Sequence, residues 1–323
     1  MSTARPAAGP PRKVLLDCDP GIDDALAIVF ACGHPGLDLC GVTTVAGNVG
    51  LPQTTANALS VLDLIGRPDV PVAAGSAVPL LRPHSDARHV HGESGLGRAQ
   101  LPPPRARPVD MPATDLIIDT VGSSPGEIVL VAIGPLTNIA LAVRRQPELI
   151  RQVADFVIMG GSAARGNVTP AAEYNIATDP EAAAIVFGAG WRVTMVGLDA
   201  TVQARADAAV QGRLAGLGQL GRELLLPALE GYRAAEAHDP PGVGPAVHDV
   251  CALALTAEPG LFGCQPARVE VETAGRWTTG MTVTDFEAAA QARNALVATS
   301  VDAARFWDAV IAAWASLPAA QTA

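Results

Sequence analysis

The sequence predicts an α/β fold built on an open, mostly parallel sheet with helices on both faces. Short apolar runs of strand length, helical stretches closed by glycine, and their regular alternation together predict it. Lys13 to Cys18 is an apolar run that suits a buried parallel strand. A Pro-Gly turn follows, then DDALAIVFACG, a helical pattern closed by Gly33 with Pro35 beyond it. LDLCGVTTVAGN reads as a second buried strand ending in a Gly-Asn turn, and TTANALSVLDLIG as a helix with a glycine stop. Strand–turn–helix units recur at EIVLVAIGPLTNIALAV and at FVIMGG, and RVTMVGL returns as a strand after the helix DPEAAAIVFGAG. This alternation is Rossmann-like.

Two stretches break the rhythm. Pro79 to Pro112, rich in Pro, Arg, His and Gly, reads as a long loop, and Ala204 to Pro245 as helices followed by a Pro/Gly-rich connection. Loops of this length in a compact domain often act as lids or binding loops, so both are expected beside the active site. Late in the chain, ARVEVETAG and RWTTGMTVTDF alternate as a C-terminal β-hairpin, and VDAARFWDAVIAAW is a closing helix. The expected organisation is a disordered tail over residues 1–12, one domain over 13–316 and a C-terminal tail over 317–323.

The chain has 323 residues, 49% hydrophobic and 17% charged, enough for a substantial core. A net charge of −10 argues against nucleic-acid binding, which needs basic surface to displace counterions. The five cysteines form no CxxC pair and sit mostly in apolar contexts, as expected of reduced thiols in a cytoplasmic protein. MSTARPAAGPPRK lacks the apolar core of a signal peptide, and no run reaches the ~18 apolar residues of a membrane span.

Ligands of open α/β sheets gather at the carboxyl ends of the strands, where several polar clusters fall. The densest is DCDPGIDD: Asp17 and Asp19 at a strand end, Asp23 and Asp24 in the first turn of the next helix. Four carboxylates so close repel one another, and burying them without a cation is costly. Oxygen ligands without nearby His or Cys favour a hard ion, Ca²⁺ or Mg²⁺. For Asp23 and Asp24 alone, the alternative is a helix N-terminus attracting acids through its dipole. Further clusters are TTVAGN with Asn48, HVHGESGLG with His91 and Glu93, VAIGPLTNIA with a carbonyl exposed at Ile133, and AVHDVCALA with His248 and Asp249. MGGSAARGNVTPAAEYNIATDPEAA adds Met159, Asn167, Glu173 and Asn175, whose amides and carboxylate suit sugar hydroxyls. Each taken alone has a structural explanation: a turn asparagine at 48, a solvated loop at 91, an N-cap at Asp249.

In this order, DxDPGxDDA, GPLTN, MGG, GN…AExN and HD resemble the nucleoside hydrolase family of the inosine–uridine-preferring type, over residues 13 to 310. The resemblance implies one Ca²⁺ per subunit, held by Asp19, Asp24, Asp249 and the main-chain carbonyl of Ile133, with ribose hydroxyls and a water completing the shell. It implies that Asp19 takes a proton from that Ca²⁺-bound water, which then attacks C1′ of an N-ribosyl bond and frees ribose and nucleobase. Asp17 stands behind the ligands and Asp23 binds the 2′-hydroxyl. Asn48, Asn167, Glu173 and Asn175 hold the sugar, and Met159 packs on its face. His248 assists base departure, while His91 and Tyr232 belong to the base side. It further implies a homodimer or homotetramer acting in nucleoside salvage.

Two rivals are weighed. A phosphatase of the haloacid dehalogenase type also opens with strand–DxD but needs a lysine, and Lys13 is the only one here. A catalytically silent ribose- or nucleoside-binding protein would keep the metal site, yet no expected ligand is missing. His238-Asp239 is a second His-Asp pair, but the Pro-Pro after it sits poorly before a helix, so the metal role falls to Asp249. Trp191, Trp277, Trp307 and Trp314 lie outside the loop motifs and read as packing residues.

Overall fold

The computed structural model describes residues 10–235 and 243–321. One nine-stranded sheet runs through it: β1 (Arg12–Cys18), β2 (Leu37–Thr44), β3 (Val72–Ala74), β4 (Ile128–Ala132), β5 (Asp155–Met159), β6 (Val193–Val196), β7 (Phe262–Val271), β8 (Thr282–Asp285) and β9 (Ala295–Val301). Their order is β3-β2-β1-β4-β5-β6-β9-β7-β8. Pairing is parallel from β3 to β9 and antiparallel where β7 joins β9 and β8. The mostly parallel sheet is as the sequence predicts, and the late alternating segment is a hairpin of β7 and β8.

Alternation along β1 shows why the sheet needs helices on both sides. Val14, Leu16 and Cys18 join one apolar cluster with the Ile22–Gly33, Val250–Ala257 and Ala303–Ala315 helices. Leu15 points the other way, into a cluster with the Ala113–Ser123, Thr137–Arg145 and Pro180–Phe187 helices. Side chains two apart share a face, so Asp17 turns toward the second set while Cys18 stays with the first. The chain winds from β1 out to β3, then returns to place β4 on the other side of β1. The sheet therefore reverses its winding between β1 and β4, which opens a crevice beyond their carboxyl ends.

Two boundaries and one packing residue differ from expectation. Arg12, assigned to the N-terminal tail, already pairs with Leu37, and its guanidinium reaches the Thr256 carbonyl. Leu317 and Ala319, assigned to the C-terminal tail, are buried against the core, and Pro318–Gln321 is helical. Their apolar side chains gain more from that contact than the tail gains from freedom. Trp191 stacks on Phe156, and Trp307 and Trp314 pack edge to face, but Trp277 is 78% exposed under the Arg276 guanidinium and is not a packing residue. All five cysteines are free thiols, and none of the described helices is long and apolar enough to cross a membrane.

Candidate active site

At the β1–β4 crevice the chain leaves β1 through Asp19-Pro20-Gly21 and enters the Ile22–Gly33 helix within three residues. That sharp turn carries the Asp24 carboxylate back over the strand end. Its Oδ2 accepts from the Gly21 N–H at 2.9 Å and its Oδ1 from the Asp19 N–H at 2.9 Å. Asp24 thus closes the helix N-terminus, the structural role weighed for it. It does so while buried beside other carboxylates, which a capping role alone does not require.

Asp23, Asp24 and Asp249 bring carboxylate oxygens within 4.8 Å of one another, all buried. Asp24 and Asp249 belong to the ligand set implied by the sequence. Asp23, expected on the sugar, joins them in this group, whereas Asp19 does not. The Asp19 Oδ2 accepts from the Asn48 N–H at 2.7 Å, and its Oδ1 is buried with no hydrogen-bond partner. The Ile133 carbonyl accepts from the Asn175 amide at 2.9 Å.

Burial pushes the Asp19 and Asp249 carboxyls well above the ordinary range, and the neighbouring acids push them further. Burial likewise raises Asp24. Asp23 rises to about 6, chiefly through burial, while His248 and the Tyr232 hydroxyl hold it down. No Lys or Arg among the described residues bonds any of these acids. A buried set of this kind is short of positive charge. Oxygen donors and an unpartnered Asp19 Oδ1 fit a hard divalent cation.

Asp17 lies one layer deeper. Its Oδ1 accepts from the Thr43 hydroxyl at 2.5 Å and the Asn138 amide at 2.8 Å; its Oδ2 has no partner. Burial raises its pKa to about 7 against both hydrogen bonds. Thr43 is its register neighbour on β2, and Asn138 lies in the first turn of the helix after the Gly-Pro turn of GPLTN. Neither was singled out from sequence, although polar TN directly after a strand-end turn is the available signal.

Asp23, Asn48, His91, Ile133, Met159, Asn167, Glu173, Asn175, Tyr232, His248 and Asp249 line one cavity of about 360 Å³. Several are fixed by bonds that define their orientation. The Asn48 amide donates to Asp24 Oδ2 at 3.0 Å and to the Asp19 carbonyl at 3.2 Å, so it positions the acids as well as facing the cavity. Glu173 accepts from the Gly161, Asn175 and Ile176 N–H groups, and burial raises its pKa to about 7. The Asn175 amide also reaches the Met159 carbonyl at 3.1 Å and its sulfur at 3.5 Å. Asn167 accepts from the Tyr174 N–H. His91 Nδ1 accepts from the Ile22 N–H at 3.0 Å, and burial lowers its pKa to about 3, so this ring is neutral. The Tyr232 hydroxyl donates to Asp23 at 3.2 Å, which ties the expected base-side tyrosine to the acidic floor. Glu93 is exposed and outside the cavity, and His238-Asp239 lies outside the described residues. Tyr174, Ser85, Asp86 and Val90 line the cavity without having been anticipated. Lys13 pairs with Glu127 at the surface, so no lysine serves the phosphatase reading.

The floor leaves no spare volume. A methyl added at Gly134 would come within 2.5 Å of Asp19 Oδ1, and one added at Gly47 would overlap the same carboxylate. Glycine allows this close backbone approach. Gly47→Ala is therefore expected to displace Asp19 and lower kcat about a hundredfold, the cost of a misplacement of about 1 Å. Unchanged kinetics in a folded variant would contradict this geometry.

The family model described as inosine-uridine preferring nucleoside hydrolase matches residues 14–308. The inosine-uridine preferring nucleoside hydrolase of Leishmania major is 45% identical over 306 residues, covering 93% of this chain and 96% of that protein. A non-specific ribonucleoside hydrolase, RihC, of Klebsiella pneumoniae subsp. pneumoniae is 46% identical, covering 94% and 98%. Among solved structures, a purine-preferring ribonucleoside hydrolase from Gardnerella vaginalis superposes with a TM-score of 0.89 at 34% identity, covering 94% and 98%. A plant nucleoside hydrolase gives 0.88 at 34% identity, covering 95% and 99%. Sequence and fold are thus those of a hydrolytic enzyme. The chain belongs to the inosine–uridine preferring nucleoside hydrolase family and is a ribonucleoside hydrolase.

Proposed function

We propose that the protein cleaves the N-glycosidic bond of ribonucleosides with water, giving ribose and free nucleobase, with Asp19 as general base and one Ca²⁺ per subunit. The observation that carries this reading is the buried, unpartnered Asp19 Oδ1 beside the Asp23–Asp24–Asp249 carboxylates. Asp19, Asp24, Asp249 and the Ile133 carbonyl would hold the ion, with Asp17 fixing the strand end behind them. When bound, Ca²⁺ supplies the charge that lets these acids stay ionised together and orients water and sugar hydroxyls.

The remaining steps belong to the chain. Asp19, whose Oδ2 is held by the Asn48 N–H, would accept the proton of the attacking water as well as hold the ion. Asp23 would bind the 2′-hydroxyl, and Asn167, Glu173 and Asn175, which line the same cavity, would hold the sugar. As the C1′–N bond lengthens, positive charge grows on the sugar, and the neighbouring carboxylates stabilise it. His248, His91 and Tyr232 surround the departing base. Family membership supports a homodimer or homotetramer working in the cytoplasm on nucleoside salvage.

The names of the relatives make inosine and uridine the first substrates to test. Incubation with inosine, uridine, adenosine and cytidine should release ribose from at least one. Saturable nucleoside binding without ribose from any of them would establish the silent-binder reading instead.

A further inference from the structure

We infer that Thr201 is a positioning residue for His248, holding its ring so that the Nε2 hydrogen faces the departing nucleobase. The inference rests on the proposed hydrolysis. Thr201 is completely buried at the end of the Leu198–Thr201 helix that follows β6, and its hydroxyl lies 2.8 Å from His248 Nδ1. Among the described residues that hydroxyl has no other hydrogen-bond partner, so its hydrogen has Nδ1 as its acceptor. A neutral imidazole that accepts at Nδ1 must carry its hydrogen on Nε2. A charged ring carries one there as well, so Nε2 is a donor in either state.

The backbone makes this pairing rigid. The Val247 N–H donates to the Ala204 carbonyl at 3.0 Å, and the Ala206 N–H to the Pro245 carbonyl at 2.9 Å. These bonds lock the segment before His248 against the one after Thr201. Nδ1 is engaged by the buried Thr201, which leaves Nε2 as the ring nitrogen available to the active-site cavity that His248 lines. There Nε2–H donates a hydrogen bond to the base as the electron pair of the C1′–N bond passes to it. Solvent supplies the proton that finally neutralises the base.

The test compares Thr201→Val and Thr201→Ser on inosine and on 4-nitrophenyl β-ribofuranoside, whose leaving group departs as a stable anion without such help. Thr201→Val is expected to lower kcat on inosine about tenfold to a hundredfold, at or below the lower end of acid–base assistance because His248 itself remains. Its KM, and its turnover of the nitrophenyl riboside, should stay near wild type, and Thr201→Ser should restore inosine cleavage. Equal losses on both substrates, or none on inosine, would overturn the assignment. ¹⁵N-histidine NMR of the wild-type protein reads the tautomer directly and needs no variant. A hydrogen on Nδ1 of neutral His248 also overturns it. Failure of the wild type to cleave any riboside would count against the hydrolysis itself, and the NMR result would still judge Thr201.

Discussion

Asp19→Asn is expected to lower kcat by about three to four orders of magnitude, the upper range for loss of a general base. Asparagine keeps the side-chain shape, so the Asn48 N–H still finds an oxygen where Asp19 Oδ2 now accepts it. The amide cannot take a proton from water, and its nitrogen would occupy the place of the unpartnered Oδ1. Removing one acid from a crowded, buried set also relieves repulsion. The metal-free variant should therefore unfold no more easily than the metal-free wild type, and its circular dichroism should be unchanged. Rates measured at saturating nucleoside and Ca²⁺ separate lost chemistry from weakened binding. Turnover within tenfold of wild type would remove Asp19 from the role of base.

The first half of this site was legible because it is local. DCDPGIDD carries its strand end, its turn and its helix start within eight residues, so a crowding of acids at one strand end follows from short-range geometry, although only Asp23 and Asp24 of the four join Asp249. Asp249 lies far along the chain, and only the family resemblance brought it to the same place. The sheet explains the meeting: the reversal between β1 and β4 gathers strand ends, and the Val250–Ala257 helix packs on the same side as the Ile22–Gly33 helix. Which acid oxygens approach one another was not legible. Asp23 stands with Asp24 and Asp249 because the first helical turn rotates it over the crevice, a register that residue spacing does not specify. Asn48 read as a sugar contact, and its amide is spent on Asp19 and Asp24 as well. Thr43, Asn138 and Thr201 carry no distinctive local signal, since their partners come from distant segments.

Removing the divalent ion should abolish activity, restore it on return of Ca²⁺, and change how stability depends on pH. Asp17 and Glu173 are raised to about 7 and Asp23 to about 6, against ordinary values near 4. A carboxyl raised by folding stabilises the native state fully below its unfolded pKa, and that contribution is lost as pH rises through the folded value. The metal-free protein should thus lose stability from pH 5 to pH 8, by about 1.4 kcal/mol per pH unit for each extra proton the native state holds. A bound divalent cation keeps the carboxylates around it ionised and should flatten this slope. Ca²⁺ at a hundred times its Kd would add about 2.7 kcal/mol at neutral pH. Thermal melts across that range, after exhaustive dialysis against chelator and again with Ca²⁺ returned, read both effects. The gap between the two curves should widen as pH rises, because competition from protons fades while repulsion among the bare acids grows. Coincident curves, together with full activity after stringent chelation, would mean that the acidic floor holds no ion. The shared burial of Asp19, Asp24 and Asp249 would then have to be maintained by protons alone.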